Sequence, residues 1–197
     1  MMVDKGELRD AMRAYRRAEP AAARAAASDA VCRRLADREE IRRAIAERRP
    51  IAAYLAAGSE LSVDGFIFSA ARRPGALLAV PRWNGTAYEL AAVREPDGPM
   101  ASGPLGIREP GPSAPAVDPA SIAVWIVPGL AFTADGIRLG QGGGWYDRLL
   151  AESALGAAKL GIAYDFQLVP CIPAEPHDVR MTAVVTPGLS VTAQSMV

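Results

Sequence analysis

The sequence predicts an α/β protein: a three-layer, mostly parallel sheet with helices on both faces. Three observations predict it. Apolar runs of strand length recur at 51–57, 76–80, 88–93, 122–127, 159–164 and 183–186. Helix-like segments separate several of them, at 63–72 and within 139–155. Most of these runs do not alternate apolar with polar residues, the pattern of strands buried on both faces.

The first fifty residues read as a helical layer. Over 4–18, Asp4 is the N-cap, Leu8, Met12 and Tyr15 share a face, and Arg9, Arg13, Arg16 and Arg17 take the others. A second helix, 20–36, opens at Pro20, is alanine-rich, and carries Val31 and Leu35 as its stripe. A third, 38–48, carries Ile41 and Ile45 and ends at Pro50. Strands then alternate with helices. The stretch 96–119 holds seven of the sixteen prolines and reads as a long irregular loop lying on one domain that spans 1–197. Ligands of such sheets lie beyond the carboxyl ends of strands, and 57–58, 81–82 and 128–129 read as such ends.

Composition narrows the function. Of 197 residues, 50% are hydrophobic and the formal net charge is zero, so nothing points to nucleic acid or to a membrane surface. Residues 1–50 hold 13 basic and 9 acidic residues, an excess that reads as a solvated helical face. Cys32 and Cys171 form no CxxC pair, which argues against a disulfide framework. His177 is the single histidine, so a zinc site is not expected; it reads as a polar-loop residue, with a general acid as the other option. No run is long enough to cross a membrane and the N-terminus has no signal-peptide core, so a reducing cytoplasm and a monomer are expected.

Most of the chemistry lies in 127–148, VPGLAFTADGIRLGQGGGWYDR. A strand stops at Pro128-Gly129, a turn follows at Ala134-Asp135-Gly136, and glycines at 140, 142, 143 and 144 precede a helix-like run from Trp145. Glycines let backbone N–H groups approach a ligand, and successive free N–H groups before a helix bind anions. Arg138 and Arg148 flank the loop, and Asp147 offers a carboxylate to a metal. Neither the Walker spacing nor the dinucleotide fingerprint fits. No Gly-x-Ser-x-Gly elbow is present either.

The combination Arg-Leu-Gly-x-Gly-x-Gly-Trp-Tyr-Asp-Arg resembles the signature of 5-formyltetrahydrofolate cyclo-ligases, also called methenyltetrahydrofolate synthetases. Further matches occur in family order: Lys5-Gly-Glu-Leu-Arg9, Leu55 to Glu60, Leu105-Gly-Ile-Arg-Glu-Pro110 and Glu175-Pro-His-Asp178. The resemblance implies a fold similar to that of sugar-phosphate isomerases and CoA-transferases. It implies ATP-driven closure of 5-formyltetrahydrofolate to 5,10-methenyltetrahydrofolate, with ATP as co-substrate and Mg2+ as metal.

Residue by residue, the resemblance gives ATP to Lys5, Arg9, Arg138, Leu139, Gly140, Gln141, Gly142, Gly143, Gly144, Trp145 and Tyr146. Leu55, Glu60 and the part of the loop from Gln141 to Trp145 are given to the folate. Asp147 and Asp178 are the magnesium positions, and Arg138, Tyr146 and Arg148 stand nearest the reacting atoms. Arg148 is open to a phosphate or to Asp147, and Arg82 to the folate glutamate tail or a phosphate. Trp83, Trp145 and Tyr146 either stack on a flat ring or pack in the core. The sequence departs from the family in two places. Leu61-Ser62-Val63 stand where a threonine is frequent, and Gly143 stands where some members have lysine. The alternatives are a nucleotide-binding regulatory module of the same fold and a sugar-phosphate isomerase.

Overall fold

A computed structural model of the chain describes residues 4–93, 100–104, 106–175 and 178–193. Leu105 and His177 therefore lie outside the described residues. In chain order the elements are α1 (Lys5–Ala18), α2 (Ala21–Asp37), α3 (Glu39–Ala46), β1 (Ile51–Ala52), α4 (Asp64–Ala71), β2 (Leu78–Trp83) and β3 (Tyr88–Ala92). Next come β4 (Met100–Ser102), β5 (Arg108–Pro110), β6 (Ala116–Val117), β7 (Val124–Pro128), β8 (Ala131–Phe132) and β9 (Arg138–Leu139). The chain continues through α5 (Trp145–Ala151), β10 (Ala158–Ile162), β11 (Ala183–Val185) and β12 (Ser190–Thr192).

The main sheet runs β12-β11-β10-β7-β1-β2-β3-β6. The five strands from β11 to β2 are mutually parallel, and the antiparallel β12, β3 and β6 close the two edges. One face packs on α2, α3 and α4 through Val31, Leu35, Ile41, Phe66 and Ile67. The other packs on α5 through Leu149 and Leu150. Residues of β7 supply both cores, Val124 and Ile126 to one and Trp125 and Val127 to the other. This two-sided burial is why the run has no polar alternation. The three-layer arrangement read from the sequence is the one observed.

Several local expectations are corrected. Asp4 caps α1, accepting the Glu7 N–H at 2.9 Å, but α1 stands apart from α2 and α3. Its Met12 joins a separate cluster with Leu130, Ala131, Leu139 and Ile172, built on the β8–β9 hairpin. That hairpin has strands of two residues each, too short to register as a pattern. The stretch 96–119 is not wholly irregular, because β4 pairs with β5 and β6 joins the main sheet. The run 51–57 is a strand only over Ile51–Ala52. Pro81 explains that. Ala53 N–H donates to Ala79 O at 2.9 Å, and the next donor of the parallel ladder would be residue 81, which has no N–H. Pro81 and Arg82 accordingly lie inside β2, opposite Leu90 and Glu89 of β3, rather than at a strand end. Released from the ladder, the chain after Ala53 turns into the site.

Candidate active site

The parallel strands, numbered among themselves, run 2-1-3-4-5. In such sheets the crevice opens where successive connections leave for opposite faces. That point lies between β1, followed by α4, and β7, followed by α5. A cleft of about 410 Å³ lies there. Tyr54, Leu55, Ala57 and Glu60 line it from the β1 side, and Pro128 and Gly129 from the β7 side. The loop 140–144 with Arg138, Trp145, Tyr146 and Asp147 makes one wall; Pro81, Tyr88 and residues 107–109 make another.

The glycine loop joins β9 to α5. Gly142 has φ +101° and Gly144, the N-cap of α5, has φ +65°, conformations that side chains other than glycine strain to adopt. A side chain at Gly140 would come within 2.9 Å of the Arg138 guanidinium, so that residue leaves room for the arginine beneath the loop. Gly143 has neither constraint. Because α5 has only seven residues, its dipole adds little. The positive field comes chiefly from arginines.

Those arginines come mostly from α1. Arg9 Nε donates to Gly140 O at 3.1 Å. Arg13 holds Gln141 through its backbone oxygen at 3.3 Å and its side-chain oxygen at 3.1 Å. Arg16, only 6% exposed, brings Nη1 to 3.7 Å from Glu60 Oε1, while Ala57 N–H donates to Glu60 Oε2 at 3.2 Å. The expectation that Arg13 and Arg16 belong to a solvated face is thus corrected. A signal was available: Lys5, Arg9, Arg13 and Arg16 fall at helical spacing on one side of α1.

Arg138 is buried beneath the loop. Its Nη2 lies 2.5 Å from Asp147 Oδ1, and its guanidinium stands 5.7 Å from the Tyr146 ring centroid. Asp178 is placed elsewhere: it accepts the Glu175 N–H at 2.8 Å and faces Lys5 Nζ at 3.6 Å, at the start of α1. Lys5 also bonds Glu175 at 2.8 Å. Among the described residues no three metal-ligating side chains cluster. Arg148 is exposed and reaches Gly143 O at 3.5 Å, and the Leu139 side chain packs beside Met12. Arg82 is committed to Glu89 and to the carbonyls of Gly111 and Ala114, which removes it as a free anion binder.

An aromatic row runs along the cleft through Tyr88, Trp145 and Tyr146 and continues to Trp83 outside the lining. Trp83 meets Tyr88 edge-on at 5.3 Å, Tyr88 stacks on Trp145 at 4.9 Å, and Trp145 meets Tyr146 at 4.0 Å. The Tyr146 hydroxyl is buried without a hydrogen-bond partner among the described residues. Burial and then the Glu60 charge push its pKa well above the tyrosine range, and Arg138 only partly opposes them. Burial and then Glu60 do the same to Tyr54, whose hydroxyl donates to Leu61 O at 2.5 Å. Tyr88 is raised by burial and then by Glu109.

Of the residues expected at the site, Leu55, Glu60, Arg138, Gly140 to Gly144, Trp145, Tyr146 and Asp147 line the cleft. Lys5, Arg9, Leu139, Arg148 and Asp178 do not line it; of these, Arg9 and Arg148 touch the glycine loop from outside. Tyr54, Tyr88 and Glu109 line it and were not anticipated, because they come from three separate segments.

Comparison with known proteins places this cleft in a family. The family model for 5-formyltetrahydrofolate cyclo-ligases matches residues 1–187. A 5-formyltetrahydrofolate cyclo-ligase of Mycolicibacterium smegmatis is 34% identical over 196 residues, covering 96% of each chain. One of Escherichia coli is 40% identical over 95 residues, 47% of this chain and 52% of the relative. The structure of Aquifex aeolicus 5,10-methenyltetrahydrofolate synthetase superposes with a TM-score of 0.83 at 27% identity, over 97% of this chain and 93% of that one. That of the Mycoplasma pneumoniae synthetase does so at 0.73 and 21% identity, over 94% and 99%, and shares the fold. With a match over nearly its whole length, and with the glycine loop and acidic helix start that drew the resemblance standing at the sheet's crevice, the chain belongs to the 5-formyltetrahydrofolate cyclo-ligase family.

Proposed function

We propose that this protein closes 5-formyltetrahydrofolate to 5,10-methenyltetrahydrofolate in an ATP- and magnesium-dependent reaction that releases ADP and phosphate. One observation carries the reading. A glycine loop held by arginines stands beside the Arg138–Asp147 pair, in the same cleft as Tyr88, Trp145, Tyr146 and Glu60.

The chemistry explains why two ligands must meet there. An amide oxygen leaves poorly. Phosphorylating the formyl oxygen makes it a good leaving group and makes the carbon electrophilic, and the neighbouring folate amine then closes the ring. The protein's work is positioning and charge neutralisation. On this reading Lys5, Arg9, Arg138 and the 139–146 segment hold the nucleotide. Leu55, Glu60 and residues 141–145 orient the pterin, whose paired N–H donors suit a carboxylate. Arg138 and Tyr146, on the cleft wall, would stand nearest the transferred phosphoryl group, and Arg148 would have to swing in from its exposed place beside Gly143 to join them.

Magnesium takes few protein oxygens and completes its shell with phosphate and water. Asp147 on the cleft wall fits such a sparse donor set and would exchange its contact with Arg138; Asp178, held by Lys5 outside the cleft lining, would have to leave that partner to serve as the second position. Bound there, the ion would supply neutralisation of phosphate charge.

The test follows methenyl absorbance with purified protein, 5-formyltetrahydrofolate and magnesium-ATP. Turnover that needs both ATP and the metal is expected. Turnover without ATP, or none, rejects the reading; ATP binding without folate binding in calorimetry would support a nucleotide-binding module instead.

A further inference from the structure

Among the described residues three carboxylates line the cleft, and they differ in what faces them. Asp147 faces the Arg138 guanidinium, and Glu60 faces that of Arg16. Glu109, 8% exposed, has no cation among the described residues; its partner is the Trp83 N–H, which donates to Oε2 at 3.1 Å. The arginines nearest in the chain and on the adjoining strand are spent elsewhere, Arg108 on Asp64 and Arg82 on Glu89. A buried carboxylate with one neutral donor is a costly arrangement for a fold to keep. The chain also makes room for it, since a side chain at Gly103 would collide with Oε2. This residue belongs to the Leu105–Pro110 motif, to which the reading above gives no task.

We infer that Glu109 is the general base of ring closure, an inference that rests on the proposed cyclo-ligase reaction. Both carboxylates line the cleft, Glu60 from the β1 side and Glu109 from the wall that also holds Pro81 and Tyr88, where it takes the backbone N–H of Trp83. With the pterin's donor edge at Glu60, its opposite edge, which bears N5 and leads to N10, is directed toward Glu109. In the step, the N10 lone pair forms the bond to the activated carbon and the N10 proton passes to Glu109 Oε1. The C–O bond breaks with its electron pair leaving on phosphate. The positive charge that remains is spread over N5, the carbon and N10, and Glu109 then releases its proton to water.

The test compares wild type, E109Q and E109A. Glutamine keeps an oxygen for the Trp83 N–H but cannot take a proton. E109Q is expected to lower kcat on the order of 10²-fold, with the KM values for folate and ATP and the melting temperature held. E109A is expected to recover part of its kcat in added formate, whether or not E109Q folds. An E109Q enzyme at full speed, or an E109A enzyme that formate does not rescue, overturns the assignment. Wild type assayed in parallel separates the two levels. An inactive wild type removes the cyclo-ligase reading and the base with it, whereas an active wild type with unaffected E109Q removes only the base.

Discussion

Helices α1 and α2 are neighbours in the chain and do opposite work. From α1 to the glycine loop and Glu60 run the Arg9, Arg13 and Arg16 contacts, and its only buried residues are Met12 and Arg16. Alanine-rich α2 carries little apolar pattern, yet seats Val31 and Leu35 at 0% exposure in the main core. A strongly two-sided helix is thus not always the one that holds the fold. In α1 a polar side faces inward as well, because beside the hairpin that takes Met12 the helix meets the glycine loop and Glu60.

Mutations on either side should break this comparison in opposite ways. The largest effect is expected from Leu35→Ala in α2, a loss of about 2–5 kcal/mol of stability in denaturant unfolding with turnover per folded molecule unchanged. A proportional loss of turnover would show that the core layer also shapes the site. Next is Asp147→Asn, expected to lower kcat/KM on the order of 10²-fold while the melting temperature barely moves. Equal losses would make Asp147 a cap that complements the start of α5. Arg9→Ala should then raise the KM for ATP roughly tenfold, the worth of one charged hydrogen bond, and leave the folate KM alone; a matching fall in stability would return α1 to the structural side.

The smallest effect sharpens the comparison by pH. Tyr54 and Tyr146 are kept neutral by burial, so their pKa values in the fold lie above the ordinary tyrosine value. The unfolded chain ionises first. Stability is therefore full below about pH 10 and falls as pH rises beyond it, by at most about 1.4 kcal/mol per pH unit per tyrosine. Tyr54→Phe should flatten that fall in thermal melts taken across the alkaline range, and an unchanged slope would mean the ring is already solvated in the native protein.

The glycine loop was legible because its signal is local. Its glycines, the arginine before and the aspartate after lie within a dozen residues, and two of those glycines hold positive φ. The buried strands were legible for the same reason: β7 sits between two cores and shows it in each residue from Val124 to Val127. The β8–β9 hairpin escaped notice, since strands of two residues have no period. Pro81 read as a strand end because proline breaks ladders, whereas here it breaks only the ladder toward β1 and stays paired with β3.

The chain alone was enough to determine the α/β class, the glycine loop before a helix and the family resemblance, since all three rest on patterns a few residues long. Only the folded molecule decided which charges meet: Arg16 with Glu60 across 44 positions, Asp178 with Lys5 rather than on the cleft wall, and Glu109 with no cation among the described residues. Spacing along one helix says which side chains share a face. Which face turns toward the cleft is set by how α1 packs on a hairpin more than a hundred residues away, and no local pattern carries that.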